Sequence, residues 1–203
     1  MNPYFTESHM RKGDSMNILL LGNSDSVFTR DFCIRVLGKE DIHAVILTPS
    51  LTEKYGQDYK DHHIREIGWP EVFLKGIRNQ SGALKAIIKA YRDLKEAMGF
   101  DNKIDVLHVH YVETMHLIYF FGFWMKAKKR VLTFWGSDLL RASKGKLCLF
   151  TYFLKRSTSI VLMIQSQCDY FQKVFGHKYD EKIRIIDFGN SLLDVLDNVK
   201  QKH

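Results

Sequence analysis

Two short apolar runs constrain the fold more than any other feature of this chain. Val106, Leu107 and Val109 lead into the polar cluster His108, His110 and Tyr111, and Val131 to Trp135 leads into Gly136-Ser137-Asp138. A near-continuous apolar run of this length predicts a strand buried on both faces of a parallel sheet. In a doubly wound sheet, ligands bind in the crevice outside the carboxyl ends of the strands, so the polar residues that close these runs are the first functional candidates.

The rest of the chain repeats the same alternation. Strands are expected at Asn17–Leu21, Ile42–Leu47, Ile104–Val109, Arg130–Trp135, Ser159–Ile164 and Ile183–Ile186. Between them lie helical patterns: Val27–Leu37, with Phe28, Phe32 and Val36 on one face; a helix capped by Ser81 and closed by Gly99; Glu113–Lys128; Ser143–Arg156; and Gln165–Phe175. This order predicts an α/β fold: a Rossmann-like parallel sheet of about six strands with helices on both faces. One domain is expected over residues 16–193, preceded by a disordered extension (1–15) and followed by a polar tail (194–203). The pattern is poor from Leu51 to Gln80, which reads as a functional loop or lid.

Net charge of +7 favours an anionic partner: nucleic acid, anionic lipid or a phosphate-bearing substrate. Nucleic acid has only the charge to support it, because no recognition motif accompanies it. Two basic clusters, Lys126–Arg130 and Lys155-Arg156, fall at expected helix C-termini, where cations complement the macrodipole without any partner. The three cysteines, Cys33, Cys148 and Cys168, lack zinc or CxxC spacing and point to a reducing compartment, so the cytoplasm is the expected location. No apolar run reaches the roughly 18–20 residues that span a bilayer.

Each motif has a structural and a functional reading. Gly22-Asn23-Ser24-Asp25-Ser26 joins the first strand to the first helix and can either hold an anionic group or cap the helix; it matches neither GxGxxG nor GxxxxGK[ST]. His108-Val109-His110, with His116, allows a metal reading, against which stands the lack of an acidic cluster at the later strand ends. His108 reads as a core histidine, whereas His110, at the strand tip beside Tyr111, is placed to polarise a substrate hydroxyl. Trp135-Gly136-Ser137-Asp138 combines a flat ring, a glycine that permits close approach, a hydroxyl and a carboxylate, a surface suited to a sugar; Ser137 or Asp138 can equally be a helix cap. Gly189-Asn190 is a turn after the last strand.

Together, Asn17–Gly22, Ile104–His110, Trp135–Asp138 and Ile185–Asn190 resemble, in order and spacing, the N-terminal half of retaining GT-B glycosyltransferases of the group 1 type. The resemblance implies an acceptor-side domain that faces a nucleotide-sugar domain across a cleft, with no metal or other cofactor. It puts His110 at the reacting sugar, Asn23 and Ser24 on the cleft wall, and Trp135 and Asp138 against substrate; Gly22, Tyr111, Gly136, Ser137 and Asn190 complete the candidate site. Many relatives carry histidine where this chain has Trp135. The family's donor-holding pair of glutamates, separated by seven residues, has no counterpart in the sequence, so the donor half is expected elsewhere and this chain is expected to be inactive alone. The implied partners are a nucleotide-sugar donor, a glycan or lipid-linked acceptor, and an anionic membrane surface at its inner face. The implied role is surface polysaccharide synthesis. A non-catalytic module that binds a glycan or an anionic lipid is the alternative.

Overall fold

A computed structural model describes residues 15–69, 83–99, 103–113, 116 and 122–186. The expectations for the N-terminal extension up to residue 14, the Ser81 cap, the middle of the helix after Glu113, Asn190 and the C-terminal tail lie outside the described residues.

Seven parallel strands form one sheet: β1 (Met16–Leu21), β2 (Ile42–Thr48), β3 (Arg65–Gly68), β4 (Ile104–His110), β5 (Ala127–Phe134), β6 (Ser159–Leu162) and β7 (Ile183–Ile185), in the order β3-β2-β1-β4-β5-β6-β7. The order reverses at β1, so β1 and β4 are neighbours and their carboxyl ends flank the topological switch point.

Strict alternation along the strands builds a core on each face. On one face lie Leu19, Leu21, Leu107, Val109, Leu132 and Phe134, covered by α3 (Ala83–Met98), α5 (Lys144–Arg156) and α6 (Gln165–Phe175) through Leu94, Met98, Phe150, Phe153 and Phe171. On the other lie Ile18, Leu20, Val106, Val131 and Val161, covered by α1 (Val27–Phe32) and α2 (Gly56–Asp61) through Phe32 and Tyr59. His108 and His110 share parity with Val106 and therefore face α1. A further helix, α4 (Ser137–Leu140), is a single turn after β5.

Several expected boundaries hold. Ser143 caps α5, its hydroxyl accepting from the Lys146 N–H at 3.3 Å, and Gly99 closes α3 at φ 65°. The helix from Val27 does run to Leu37, but its second half, Cys33–Leu37, is a π-helical turn. The largest differences follow from polarity. The segment expected to be irregular from Leu51 contains α2 and β3; β3 is a four-residue edge strand whose sequence, Arg-Glu-Ile-Gly, has no apolar run to announce it. The helix expected to reach Lys128 gives way by Trp124, and Ala127–Arg130 are already strand, so this basic cluster is not at a helix end. Lys128 is 69% exposed and pairs with Asp105 of β4 at 2.6 Å; polar residues in the first half of β5 hid it from a reading that looks for apolar runs. The C-terminus of α5 is satisfied from farther away. Lys182 Nζ donates to the carbonyls of Leu154, Lys155 and Ser157 at 3.1, 3.2 and 2.8 Å, which ties the approach to β7 to the helix's negative end.

Candidate functional site

The carboxyl ends of β1, β4 and β5 and the start of α1 enclose a cavity of about 380 Å³, lined in part by Asn23, Phe28, His110, Tyr111, His116 and Trp135. Ser26, Thr29, Pro49, Glu113 and Ser137 also reach its wall.

An aromatic cluster forms one side. The rings of Phe28 and Trp135 lie 4.6 Å apart, Trp135 meets His110 edge-on at 5.0 Å, and Phe32 stacks on His110 at 4.9 Å. His110 is 1% exposed. Burial pushes its imidazole down to about 3, the neighbouring His116 adds to the effect, and a hydrogen bond with the Phe28 backbone opposes it. It is a neutral base across the physiological range. His108, one pleat deeper, is fully buried and shares a 2.7 Å hydrogen bond between its Nε2 and the Thr133 hydroxyl. Burial and the proximity of His110 hold it well below the ordinary histidine value. It is a core histidine, with the Thr133 side chain among its partners.

Tyr111 turns the chain at φ 77°, a left-handed conformation that non-glycine residues seldom adopt. That turn aims the phenol at Ser137, with 2.9 Å between the two oxygens, and directs the Tyr111 carbonyl at His116, whose Nδ1–H donates to it at 2.7 Å. In a neutral ring this leaves Nε2 as the acceptor. Burial lowers the His116 pKa and the charge of Lys146 adds to the shift, with the backbone bond to Tyr111 and nearby Glu113 opposing it, which favours the neutral ring.

Asp138 belongs to the frame of the site. It is 1% exposed, and its two oxygens accept four backbone N–H groups: Val112 at 2.9 Å, and Trp135, Gly136 and Leu139 at 3.0 Å each. It clamps the loop after β4 to the loop after β5, and it is absent from the cavity wall. Desolvation raises its pKa to about 6, against the downward pull of those N–H groups.

Of the other expected site residues, Asn23, Tyr111, Trp135 and Ser137 reach the cavity with His110. Ser24 points away: its hydroxyl donates to Thr48 Oγ1 at 3.1 Å, and its carbonyl accepts the buried Tyr59 hydroxyl at 2.8 Å. Gly22 packs behind the site, where a Cβ would meet the His110 backbone at 3.5 Å in ordinary contact. Gly136 supports the clamp at φ 103°, and a Cβ there would come within 2.8 Å of Gln167 Nε2. The sequence reading did not select Phe28, Ser26, Pro49, Glu113 or His116 for the site. Phe28 reads as half of an i, i+4 apolar pair with Phe32, and such a pair reports packing, not a cavity. Among the described residues, no group of three His, Cys, Asp or Glu side chains is placed to hold a metal.

A family model described as "Glycosyl transferase 4-like" matches residues 17–166. Among solved structures, a glycosyltransferase from Rickettsia africae ESF-5 aligns with a TM-score of 0.55 at 15% identity, over 85% of this chain and 43% of that one. The likeness is one of fold, and this chain spans less than half of that protein's length. Cj0485 dehydrogenase covers 84% of this chain and 77% of its own at 10% identity, with a TM-score of 0.42, too low to carry an argument. No curated protein matches the chain.

Proposed function

The chain belongs to the glycosyl transferase 4-like family, and from that premise we propose that it is the acceptor-binding half of a retaining GT-B enzyme. The reaction is transfer of a sugar from a nucleotide-sugar to a lipid-linked or polysaccharide acceptor in surface polysaccharide synthesis. The observation that carries this reading is the cavity at the β1/β4 switch point, where Trp135 and Phe28 offer apolar ring surface and neutral His110 sits beside them. Aromatic rings pack on the C–H faces of a pyranose. A neutral imidazole of such low basicity accepts a hydrogen bond from an attacking hydroxyl and orients it, and the desolvated setting strengthens that bond while disfavouring full proton transfer. The donor's leaving phosphate requires cationic or N–H stabilisation; that is assigned to a second domain, so this half alone binds acceptor without turnover.

Contact with an anionic membrane forms part of the same reading. Met125 is 79% exposed at the turn before β5, followed by Lys126 and Lys129, with Arg156 over the Trp124 and Tyr152 rings at 5.5 and 3.4 Å. This basic, aromatic end of the sheet is opposite the cavity. No helix among the described residues is long and apolar enough to cross a membrane, so the contact is peripheral.

Saturation-transfer NMR of the 203-residue chain with a panel of methyl glycosides tests the acceptor reading. Binding of at least one glycoside, weakened by Trp135→Ala and by His110→Ala in folded protein, is expected. A chain that binds none at millimolar concentration overturns the reading. Adding a separately supplied donor domain then distinguishes an enzyme half from a binding module, because only the former restores transfer.

A further inference from the structure

The chain carries a net charge of +7, yet its cavity wall contains no lysine or arginine among the described residues. Among the described residues, the only charged side chain on that wall is Glu113, and the two imidazoles there are buried. One polar atom stands out. His116 is 2% exposed, its Nδ1–H is committed to the Tyr111 carbonyl, and the Trp69 ring packs edge-on against it at 5.6 Å. Its Nε2 is buried without a hydrogen-bond partner among the described residues. An unsatisfied buried acceptor costs on the order of 1–3 kcal/mol, and native structures retain few of them without a use.

We infer that His116 is a specificity-determining residue: its Nε2 accepts a hydrogen bond from a hydroxyl of an uncharged polyol in the cavity, and the wall excludes a phosphate or carboxylate at that position. This deepens the acceptor reading above and depends on it. A hydroxyl brings the proton that a lone-pair nitrogen lacks. A phosphate dianion brings only acceptor oxygens, and would face the Nε2 lone pair and the Glu113 carboxylate; Lys146, whose charge reaches His116, is not on the described cavity wall. Tyr111 sets this preference through its backbone, because its carbonyl fixes which ring nitrogen of His116 carries the proton. The phosphate of a lipid-linked acceptor therefore lies outside the cavity, and only its uncharged sugar enters.

The test is long-range ¹H–¹⁵N NMR of the full chain with labelled histidine, titrated with the methyl glycoside that binds best in the panel and, separately, with the matching hexose 1-phosphate. The inference expects the His116 Nε2 resonance to move from the lone-pair position toward the protonated one with the glycoside, and to stay in place with the phosphate. His116→Phe, checked for folding by its melt, is expected to weaken glycoside binding about tenfold, the worth of one hydrogen bond. If the glycoside binds and Nε2 does not move, or if the hexose 1-phosphate binds as tightly, the role of His116 is overturned while the acceptor reading stands. If no glycoside binds, both fall. The wild-type resonance decides the matter even where the variant fails to fold.

Discussion

Replacing Asp138 with alanine separates a frame residue from a ligand. The resemblance to group 1 enzymes puts Asp138 against substrate, so its loss would abolish transfer and leave the melt within a few degrees. The hydrogen bonds lead to a different expectation. Four backbone N–H groups point at the carboxylate, and Leu139 has a second acceptor, the Gly136 carbonyl at 3.0 Å. Asp138→Ala therefore takes the carboxylate acceptor from the N–H groups of Val112, Trp135 and Gly136. At roughly 1–3 kcal/mol each, before any water relieves them, the gross cost is about 6 kcal/mol. Part of that is offset at neutral pH, because the variant no longer buries a charge. The Asp138 pKa is raised from 3.8 to about 6, so the folded state binds more protons than the unfolded state between those values. The wild type thus loses stability as pH rises from about 4 to about 6, by about 3 kcal/mol at 1.36 kcal/mol per unit. The net cost of Asp138→Ala is then about 3 kcal/mol at pH 7, a melting-temperature drop of roughly 6–12 °C for a chain of this size, and about 6 kcal/mol at pH 4. Urea unfolding of both proteins at the two pH values, followed by tryptophan fluorescence, gives the difference directly. A cost that grows with pH would refute the claim that burial outweighs the N–H groups. A melt unchanged at either pH would refute the clamp itself.

Other consequences are open to measurement. Gly136→Ala forces a Cβ onto φ 103° and to within 2.8 Å of Gln167 Nε2, so it should cost about 2–3 kcal/mol, whereas Gly22→Ala, with its nearest contact at 3.5 Å, should cost under about 1 kcal/mol in the same denaturant assay. His110 is depressed from 6.5 to about 3, so its unfolded form takes up a proton that the folded form refuses; up to about 5 kcal/mol of stability is lost as pH falls across that window. His110→Phe should flatten that acid limb in a pH series of urea midpoints, and an unchanged slope would assign the acid lability elsewhere. Lys182→Met removes three donors from the end of α5 and should lower stability by about 1–2 kcal/mol; a melt within 1 °C of wild type would count against the tie. Flotation with liposomes containing acidic lipid should recover the chain at low salt and lose it as salt rises, and binding to neutral liposomes at equal strength would remove the anionic-surface contact.

What was legible in the sequence was what repeats. Ile18–Leu21, Ala44–Leu47 and Val131–Phe134 are buried on both faces, and such strands need uninterrupted apolar residues, so their positions and the α/β alternation could be read directly. β3 and the first half of β5 could not, because an edge strand and a solvated strand end place no such demand on composition. The place of His110, Tyr111, Trp135 and Ser137 on the cavity wall was legible because a residue at a strand's carboxyl end has few other places to point. Ser24 and Asp138, which do not line the cavity, are polar like their neighbours and sit within a residue of its wall. What turns them inward is the supply of partners: Ser24 meets Thr48 and Tyr59, residues 24 and 35 positions away, and Asp138 meets Val112, 26 positions away. His116, which we infer to contact the polyol, was not selected, for the converse reason. Its ring is oriented by a carbonyl that becomes available only because Tyr111 adopts a left-handed turn, and a tyrosine gives no sign of that conformation in a one-dimensional reading, whereas the glycine at position 136 does. A carboxylate beside a glycine reads as a ligand, and a histidine on a helix reads as packing. Which of the two meets substrate depends on how many backbone donors the fold has already aimed at each: four reach Asp138, and none of the described groups reaches His116 Nε2.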